Sequence, residues 1–472
     1  MGGFLAFIHT PRRYGGCLEY TMNIIIVGCG KVGTTLAKRL NEEKHDIVLI
    51  DKDGDKLRSI TDRYDVMGLE GNGASVQTQK EAGVASADLL IATTNSDELN
   101  LLCCLIAKKA GDCHTIARIR DPEYYKEVRY IKEELNLSMV INPEQAAAAE
   151  IARLIKFPSA VSIDSFARGR LELMKISVPD DSALNGMKVF EMSQKLHCSV
   201  LLCVIERGNE VIIPYGNMEL KAQDNISFIA EHNQAREFLA AVGLSMTTIK
   251  SLMLIGGSKI SYYIAKRLED TNISVKIIDW DFDRCQTLSD LLEKAIIING
   301  DGSDQQLLAE EGIADMDAIG SMTGIDEENI VLSLYAASVS KAKIITKINR
   351  VDFQDVIRNM NLGSVINPKN ITADLIVRYV RAMNNTVGSN VETLYKIAGD
   401  RAEALEFKVG KESSVIGKQL QDMKFIDQLL IAAITRNGKV IRPNGQSMIE
   451  AGDTVIVVTT ENGLNDLEDI LA

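Results

Sequence analysis

The stretch N-I-I-I-V-G-C-G-K-V-G, Asn23–Gly33, decides the fold. A short apolar run, Ile24–Val27, leads into Gly28-x-Gly30-x-x-Gly33. A helical pattern follows over Lys31–Leu40, with apolar residues at Val32, Leu36, Ala37 and Leu40. A second apolar run, Ile47–Ile50, ends at Asp51, 18 positions after Gly33. Strand, glycine turn, helix, strand, acid is the order a dinucleotide-binding βαβ unit requires. Gly28 permits the tight turn out of the strand. Gly30 removes the Cβ that would block a diphosphate, and Gly33 lets the helix pack against the sheet. Free N–H groups and the positive dipole end of the helix attract phosphate. Asp51 can accept hydrogen bonds from a ribose diol and repels a 2′-phosphate. Lys31 adds a positive charge inside the turn, and Cys29 reads as a small side chain. The bland alternative is a Rossmann core that keeps its glycines for packing alone.

The same grammar continues. Asp65–Leu69, Ala87–Ala92, His114–Ile119 and Met139–Ile141 read as strands. Asn95 or Ser96 can cap a helix over Asp97–Lys109, and Asn142-Pro143-Glu144 opens an alanine-rich helix ending near Lys156. Strands alternating with helices imply a parallel sheet covered on both faces. Near Phe157-Pro158 the pattern changes. Leu171–Val178, Ser199–Glu206, Glu210–Ile213 and Asn225–Ile229 are short runs with polar, Gly or Pro breaks, as in a small β-rich or α+β domain. A short helical stretch, Asn233–Val242, follows.

Then the plan repeats. Gly28 and Gly256 stand 228 positions apart, as do Asp51 and Asp279. Gly71 and Gly300, Asp97 and Asp326, and Asn100 and Asn329 are each separated by 229. The small domain repeats too: Pro214 to Pro443, Gly216 to Gly445 and Asp224 to Asp453 are all 229. The chain is a tandem duplication of a two-domain unit. The expected fold class is α/β, with two Rossmann-like doubly wound domains, each followed by a small β-rich α+β domain. The expected boundaries are 22–157, 158–245, 246–384 and 385–472. Residues 1–21 carry no strand–helix pattern, and Phe4–Ile8 is too short for a signal-peptide core. They are expected to be an N-terminal extension outside the fold.

The copies differ chemically. Ser258 and Ser261 replace Gly30 and Gly33, so the second pocket is expected to bind a nucleotide weakly, differently or not at all. Arg118 is matched by Lys347, and Thr94 by Thr323.

A net charge of −13 argues against a phosphate-backbone partner, so no nucleic acid is expected. None of the eight cysteines forms a CxxC pair and the five histidines are scattered, which leaves no metal-site signature. They read as reduced thiols. No apolar run approaches the roughly 20 residues of a membrane-spanning helix.

The motifs N-I-I-I-V-G-C-G-K-V-G, I-V-L-I-D-K-D, G-N-G-A-S, T-N-S-D-E-L-N and A-R-I-R-D-P-E-Y, in this order and duplicated, resemble the Trk potassium-uptake regulatory subunit family, TrkA, with two RCK units of KTN and TrkA-C type. The resemblance covers Met22 to Ala472. It implies a cytoplasmic regulatory subunit, peripheral on the inner face of the cell membrane. Its partner would be a TrkH/TrkG-like potassium-translocating subunit. It also implies a homo-oligomer, dimeric or a tetrameric gating ring, that binds NAD(H) or ATP/ADP. By motif match, Gly28, Cys29, Gly30, Lys31, Val32 and Gly33 would cradle phosphates and Asp51 would hold the ribose. Thr94 and Asn95 would sit near the second ribose or the phosphates, and Arg118 would supply charge. The second-copy matches are Gly256, Gly257, Ser258, Lys259, Ile260 and Asp279.

The other readings are an RCK-type regulator of another cation channel or antiporter, and an NAD-dependent oxidoreductase. The latter needs an acid–base group facing a nicotinamide, and no such motif surrounds His114, His197 or His232. No catalytic residue is expected. Arg118 has a bland reading as an inter-subunit or surface ion pair. Asn72 and Ser75 read equally as adenine-side groups or turn-formers. Asp97 and Glu98 read as helix N-terminal charges, and Arg401 and Lys408 as a solvated face.

Overall fold

The computed structural model describes residues 21–472 except 197, 199, 245–247, 350–359, 361, 386–390, 399–400, 462–463 and 465; ahead of residue 21 it describes two strands only. Those are β1 (Arg12–Tyr14) and β2 (Cys17–Glu19), which pair only with each other. The rest of the extension lies outside the described residues.

The first repeat carries β3 (Asn23–Val27), α1 (Lys31–Glu42), β4 (Asp46–Asp51), β5 (Met67–Glu70), β6 (Leu89–Ala92), α2 (Asp97–Ala110), β7 (His114–Arg118), β8 (Met139–Ile141) and α3 (Pro143–Lys156). Its small domain carries β9 (Ser162–Phe166), β10 (Leu171–Ser177), β11 (Leu201–Arg207), β12 (Glu210–Ile212) and β13 (Asn225–Glu231). The second repeat carries β14 (Ser251–Ile255), α4 (Lys259–Leu268), β15 (Ser274–Asp279), β16 (Ile296–Asn299), β17 (Ala318–Ser321), α5 (Asp326–Val339), β18 (Lys343–Lys347), β19 (Ser364–Ile366) and α6 (Pro368–Asn385). Its small domain carries β20 (Val391–Ile397), β21 (Ala402–Lys408), β22 (Leu429–Arg436), β23 (Lys439–Ile441) and β24 (Thr454–Thr459).

The chain divides into two compact units that do not follow chain order. One comprises Met1–Ala148 with Asn367–Val377, the other Ala149–Ile366 with Arg378–Ala472. In the first, six parallel strands run β5-β4-β3-β6-β7-β8. The order reverses between β3 and β6, which opens a crevice at their carboxyl ends, where doubly wound sheets take ligands. One face buries Ile25, Val27, Val48, Ile50 and Leu90 against Cys103, Cys104 and Ala107 of α2. Each such aliphatic side chain contributes roughly 1.5–3 kcal/mol on burial. The first half of α6 belongs to this unit, and there Asp374 forms an ion pair with Arg39 of α1.

The second unit holds the other parallel sheet, β16-β15-β14-β17-β18-β19, and two antiparallel sheets, β12-β11-β13-β10-β9 and β20-β21-β24-β22-β23. The two antiparallel sheets share one core, in which Phe166, Leu171 and Leu173 meet Ile397, Ala404, Ile456 and Val458. Strand β9 was not expected from the sequence. Asp164 and Ser165 break its apolar pattern, yet Ile163 and Phe166 are both buried. Two helices, Pro122–Lys126 and Val128–Glu134, also escape the sequence pattern; they are 5 and 7 residues long and neither holds a fully buried residue, so the apolar signal is weak. Arg401, read as solvated, instead donates to the Asn209 carbonyl across the paired small domains.

Candidate nucleotide-binding site

At the end of β3 the backbone of Gly28 takes φ +99°, and its N–H donates to the Ile50 carbonyl at 2.8 Å. A Cβ here would stand 2.9 Å from the Thr94 amide nitrogen, so only glycine fits. The next N–H, of Cys29, donates to Asp51 Oδ2 at 2.6 Å. The N–H of Asp53 donates to Asp51 Oδ1 at 3.0 Å. The acid is thus fixed at the turn by two main-chain bonds, and each oxygen keeps a lone pair for a further donor. Cys29 is buried, and burial followed by the Asp51 charge pushes its thiol up to about 12, so it stays protonated and inert.

Helix α1 starts at Lys31 with no side-chain cap and no carboxylate in its first turn. A Cβ on Gly30 would meet nothing within 4 Å, whereas one on Gly33 would collide with the Gly28 carbonyl. Lys31 is exposed beside the turn and Val32 is buried beneath it. The start of α1 therefore presents main-chain donors to open space, the arrangement an anion takes at a helix N-terminus.

Across the crevice, Asn100 is fully buried in α2 and organises the ends of β6 and β7. Its Oδ1 accepts from the Thr94 N–H and hydroxyl, each at 2.7 Å, and its Nδ2 donates to the Arg118 carbonyl at 2.9 Å. The Arg118 guanidinium donates to the Thr94 carbonyl, while its Nε is buried without a hydrogen-bond partner. Burial, then the neighbouring Arg120, lowers its pKa to about 10, so it remains a cation at neutral pH. Asn95 is exposed and its carbonyl accepts from Arg120 at 2.9 Å. An uncapped helix start, open space at Gly30, an anchored acid and a buried cation with an unused N–H fit a dinucleotide or adenine nucleotide.

Other residues have local roles. Asn72 Oδ1 accepts from the Ala74 N–H at 3.2 Å, and Ser75 caps the helix Val76–Glu81. Asp97 Oδ2 accepts from the N–H groups of Arg120 and Asp121, both at 2.8 Å, which ties α2 to the loop after β7. Glu98 accepts from Ser96 and Tyr124. The sequence marks Asn100 only as a repeated position, and that repetition is the signal for its role as a hub. Among the described residues no group of three or more His, Cys, Asp or Glu could hold a metal ion.

The second copy keeps the frame and fills the opening. Gly256 has φ +103°, and the Gly257 N–H donates to Asp279 Oδ2 at 2.5 Å. Thr323 is held by Asn329 at 2.8 Å, and Lys347 Nζ donates to the Met322 carbonyl at 3.1 Å. Here, however, Ser258 caps α4 through the Ser261 N–H, and the Ser261 hydroxyl donates to the Gly256 carbonyl at 2.5 Å. Asp279 is buried with Arg284 3.5 Å away. Lys259 is exposed and Ile260 buried. The crevice rim also changes character: Trp280, Phe282 and Ile325 are exposed where the first copy has Lys52, Gly54 and Ser96.

This fold and these two crevices define a tandem chain of two Rossmann domains, each followed by a small antiparallel β domain. The family model for the TrkA-N domain matches residues 24–143 and 252–368, and that for the TrkA-C domain matches 173–243 and 404–472. The chain belongs to the TrkA family of Trk potassium-uptake proteins. It is similar to the Trk system potassium uptake protein TrkA of Vibrio alginolyticus, at 31% identity over 95% of this chain and 98% of the relative. The TrkA of Haemophilus influenzae is 30% identical, covering 93% and 96%. A Methanosarcina mazei TrkA homolog is 30% identical, covering 95% and 99%. Among solved structures, the GsuK channel bound to NAD superposes with TM-score 0.60 at 16% identity, covering 94% of this chain and 77% of that one. The GsuK RCK domain gives 0.61 at 16%, covering 97% and 96%. Among the described residues no helix is long and apolar enough to cross a membrane.

Proposed function

We propose that this chain is the nucleotide-sensing regulatory subunit of a Trk-type potassium uptake system, with its working site in the first Rossmann domain. The observation that carries this is the convergence of three features on one crevice: the uncapped start of α1, the anchored carboxylate of Asp51, and the buried Arg118 with its free Nε. The ligand is NAD(H) or an adenine nucleotide such as ATP or ADP. Its phosphates lie on Gly28–Gly33, its ribose diol on Asp51, and Arg118 with Thr94 and Asn95 lines the far side. Gly256–Ile260 and Asp279 form the corresponding but self-capped frame, so one nucleotide per chain is expected.

The domains are taken as 22–157, 158–245, 246–384 and 385–472. The chain works as a homo-oligomer, dimer or tetrameric ring, on the cytoplasmic face of a separate potassium-translocating membrane subunit. It performs no chemistry on the nucleotide. Control is linkage: the nucleotide shifts the subunit toward whichever conformation binds it better, and only by that difference in affinity.

The test is calorimetric titration of NADH, NAD, ATP and ADP into the wild type and Asp51→Ala. Micromolar binding at one site per chain, lost in Asp51→Ala, supports the reading. Binding of none of the four, or unchanged binding by Asp51→Ala, overturns it.

A further inference from the structure

Gln79 is 0% exposed and is the buried residue of the short helix Val76–Glu81. Its Nε2 donates to the Gly73 carbonyl at 2.7 Å and to the Cys103 carbonyl at 3.0 Å. Its Oε1 is buried with no hydrogen-bond partner. A buried acceptor left unmet is costly, so packing alone favours an apolar side chain here. The second repeat shows that the frame accepts one. Leu308 stands 229 positions on, in the helix Gln305–Glu310, and is also 0% exposed.

Both carbonyls held by Gln79 belong to elements that wall the first crevice. The loop Gly71–Ser75 starts where the Gly71 N–H donates to the Asp51 carbonyl at 2.9 Å. It then passes over the end of β3, so closely that a Cβ on Gly73 would collide with the side chain of Val27. Val27 is the residue before Gly28. Cys103 lies in α2, three residues after Asn100, whose side chain holds Thr94 and the Arg118 carbonyl. A helix carbonyl has a second lone pair, so Cys103 can accept from Gln79 beside its helical bond. Gln79 therefore ties the wall at β3–β5 to the helix that sets the wall at β6–β7. In the second repeat Asn329 holds Thr323 and Gly302 packs on Ile255, but Leu308 has no donor to offer.

The sheet order β5-β4-β3 fixes which part of a nucleotide meets this loop. With the phosphates on the glycine turn at β3 and the ribose on Asp51 at β4, the base lies further out, at β5 and the loop after it. A site that hydrogen-bonds a base discriminates only when its groups are held in place.

We infer that Gln79 is a positioning residue for base recognition: by holding the Gly73 carbonyl to α2 it fixes the loop that tells adenine from hypoxanthine. This rests on the reading of Gly28–Gly33 and Asp51 as the phosphate and ribose sites. Gln79 touches no ligand; it sets the main chain that does.

The experiment is calorimetric titration of two nucleotide pairs that differ only in the base, ADP against inosine diphosphate and NADH against its hypoxanthine analogue. The proteins are the full chain as wild type, Gln79→Leu and Gln79→Met. Leucine is the residue of the second repeat, and methionine keeps the reach of glutamine without its donor. The wild type is expected to prefer adenine. Each variant is expected to weaken the adenine ligand about tenfold or more, the scale of one lost hydrogen bond, and to change the hypoxanthine ligand by less than about threefold. Equal weakening of both members of a pair, or failure of both variants to fold by circular dichroism, would make Gln79 a general support of the domain and overturns the inference. So does unchanged adenine-ligand affinity, or a wild type that binds both bases alike. Binding of neither ADP nor NADH by the wild type overturns the site reading and this inference with it.

Discussion

Arg170 and Arg401 are the same residue of the repeat, and each holds a turn belonging to the other small domain. Arg170, just before β10, donates to the carbonyl of Gly438 in the β22–β23 turn. Arg401, just before β21, donates to the carbonyl of Asn209 in the β11–β12 turn. Asn209 and Gly438 are themselves counterparts, 229 positions apart. The contact is self-complementary in the manner of a two-fold dimer interface, but both faces lie in one chain. Between the two clasps lies the shared core of Phe166, Leu173, Ala404 and Ile456.

That core sets the stability of the small-domain pair. Phe166 is 1% exposed and touches Tyr395. Phe166→Ala is expected to cost about 3–5 kcal/mol, as for other buried aromatic truncations. Chemical unfolding followed by circular dichroism measures it. A shift worth less than about 1 kcal/mol would mean that the paired sheets are held mainly by their rims.

The two glycine turns can be exchanged. Transplanting the serine cap with Gly30→Ser/Gly33→Ser is expected to weaken nucleotide binding about tenfold or more, equivalent to at least 1.4 kcal/mol. The introduced hydroxyls bond within the turn, as Ser258 and Ser261 do. Titration of the variant against wild type reads the effect. Undiminished affinity would show that the phosphates do not use the start of α1.

Arg118 separates a ligand contact from a structural cation. Arg118→Met preserves bulk and leaves the main-chain bond from Asn100 in place. If its charge meets the nucleotide, loss of a charge-assisted bond worth about 1.5–3 kcal/mol weakens binding roughly ten- to a hundredfold. An unchanged Kd with a lowered melting temperature would identify it as the support of the Thr94 carbonyl and nothing more.

Asp164 gives the second unit a pH dependence of defined sign. Desolvation, then the Glu150 carboxylate, raises it from 3.8 to about 7, against the opposing charges of Arg153 and Arg378. Between about pH 4 and 7 the folded chain keeps a proton that the unfolded chain releases, so stability falls as pH rises through that window and levels off above it. Asp164→Asn removes this slope and is expected to gain on wild type at pH 8 relative to pH 5. Melting temperatures of both proteins at the two pH values decide it; an identical difference at each would remove Asp164 as the cause.

Much of this was readable before any coordinates. Periodicity and the spacing of Gly28, Gly33 and Asp51 gave the βαβ unit, because a parallel strand buried on both faces must be a continuous apolar run. The duplication followed from near-constant offsets. What stayed hidden was whatever depends on partners distant in the chain. Arg401 looks like any surface arginine until the turn at Asn209 is brought beside it. Strand β9 carries three polar residues in five, one of them Asp164, because its partners are charged groups on α3 and α6 as well as a core. Asn100 shows no motif of its own, yet it fixes Thr94 and Arg118 together. The exposed Trp280 and Phe282 were invisible as a feature, since a sequence does not say which aromatic residues remain outside.

The reciprocal clasp of Arg170 and Arg401 has an evolutionary meaning. In an assembly of two identical chains every substitution arrives twice, so one site cannot close while its twin stays open. Joining the halves in one gene lifts that restriction. Ser258 and Ser261 could then change one pocket without touching Gly30 and Gly33, while the symmetric contact at the small domains kept the halves mated. Fusion thus left two once-equal halves free to diverge, one turn staying open at Gly30 while the other closes on its own serines.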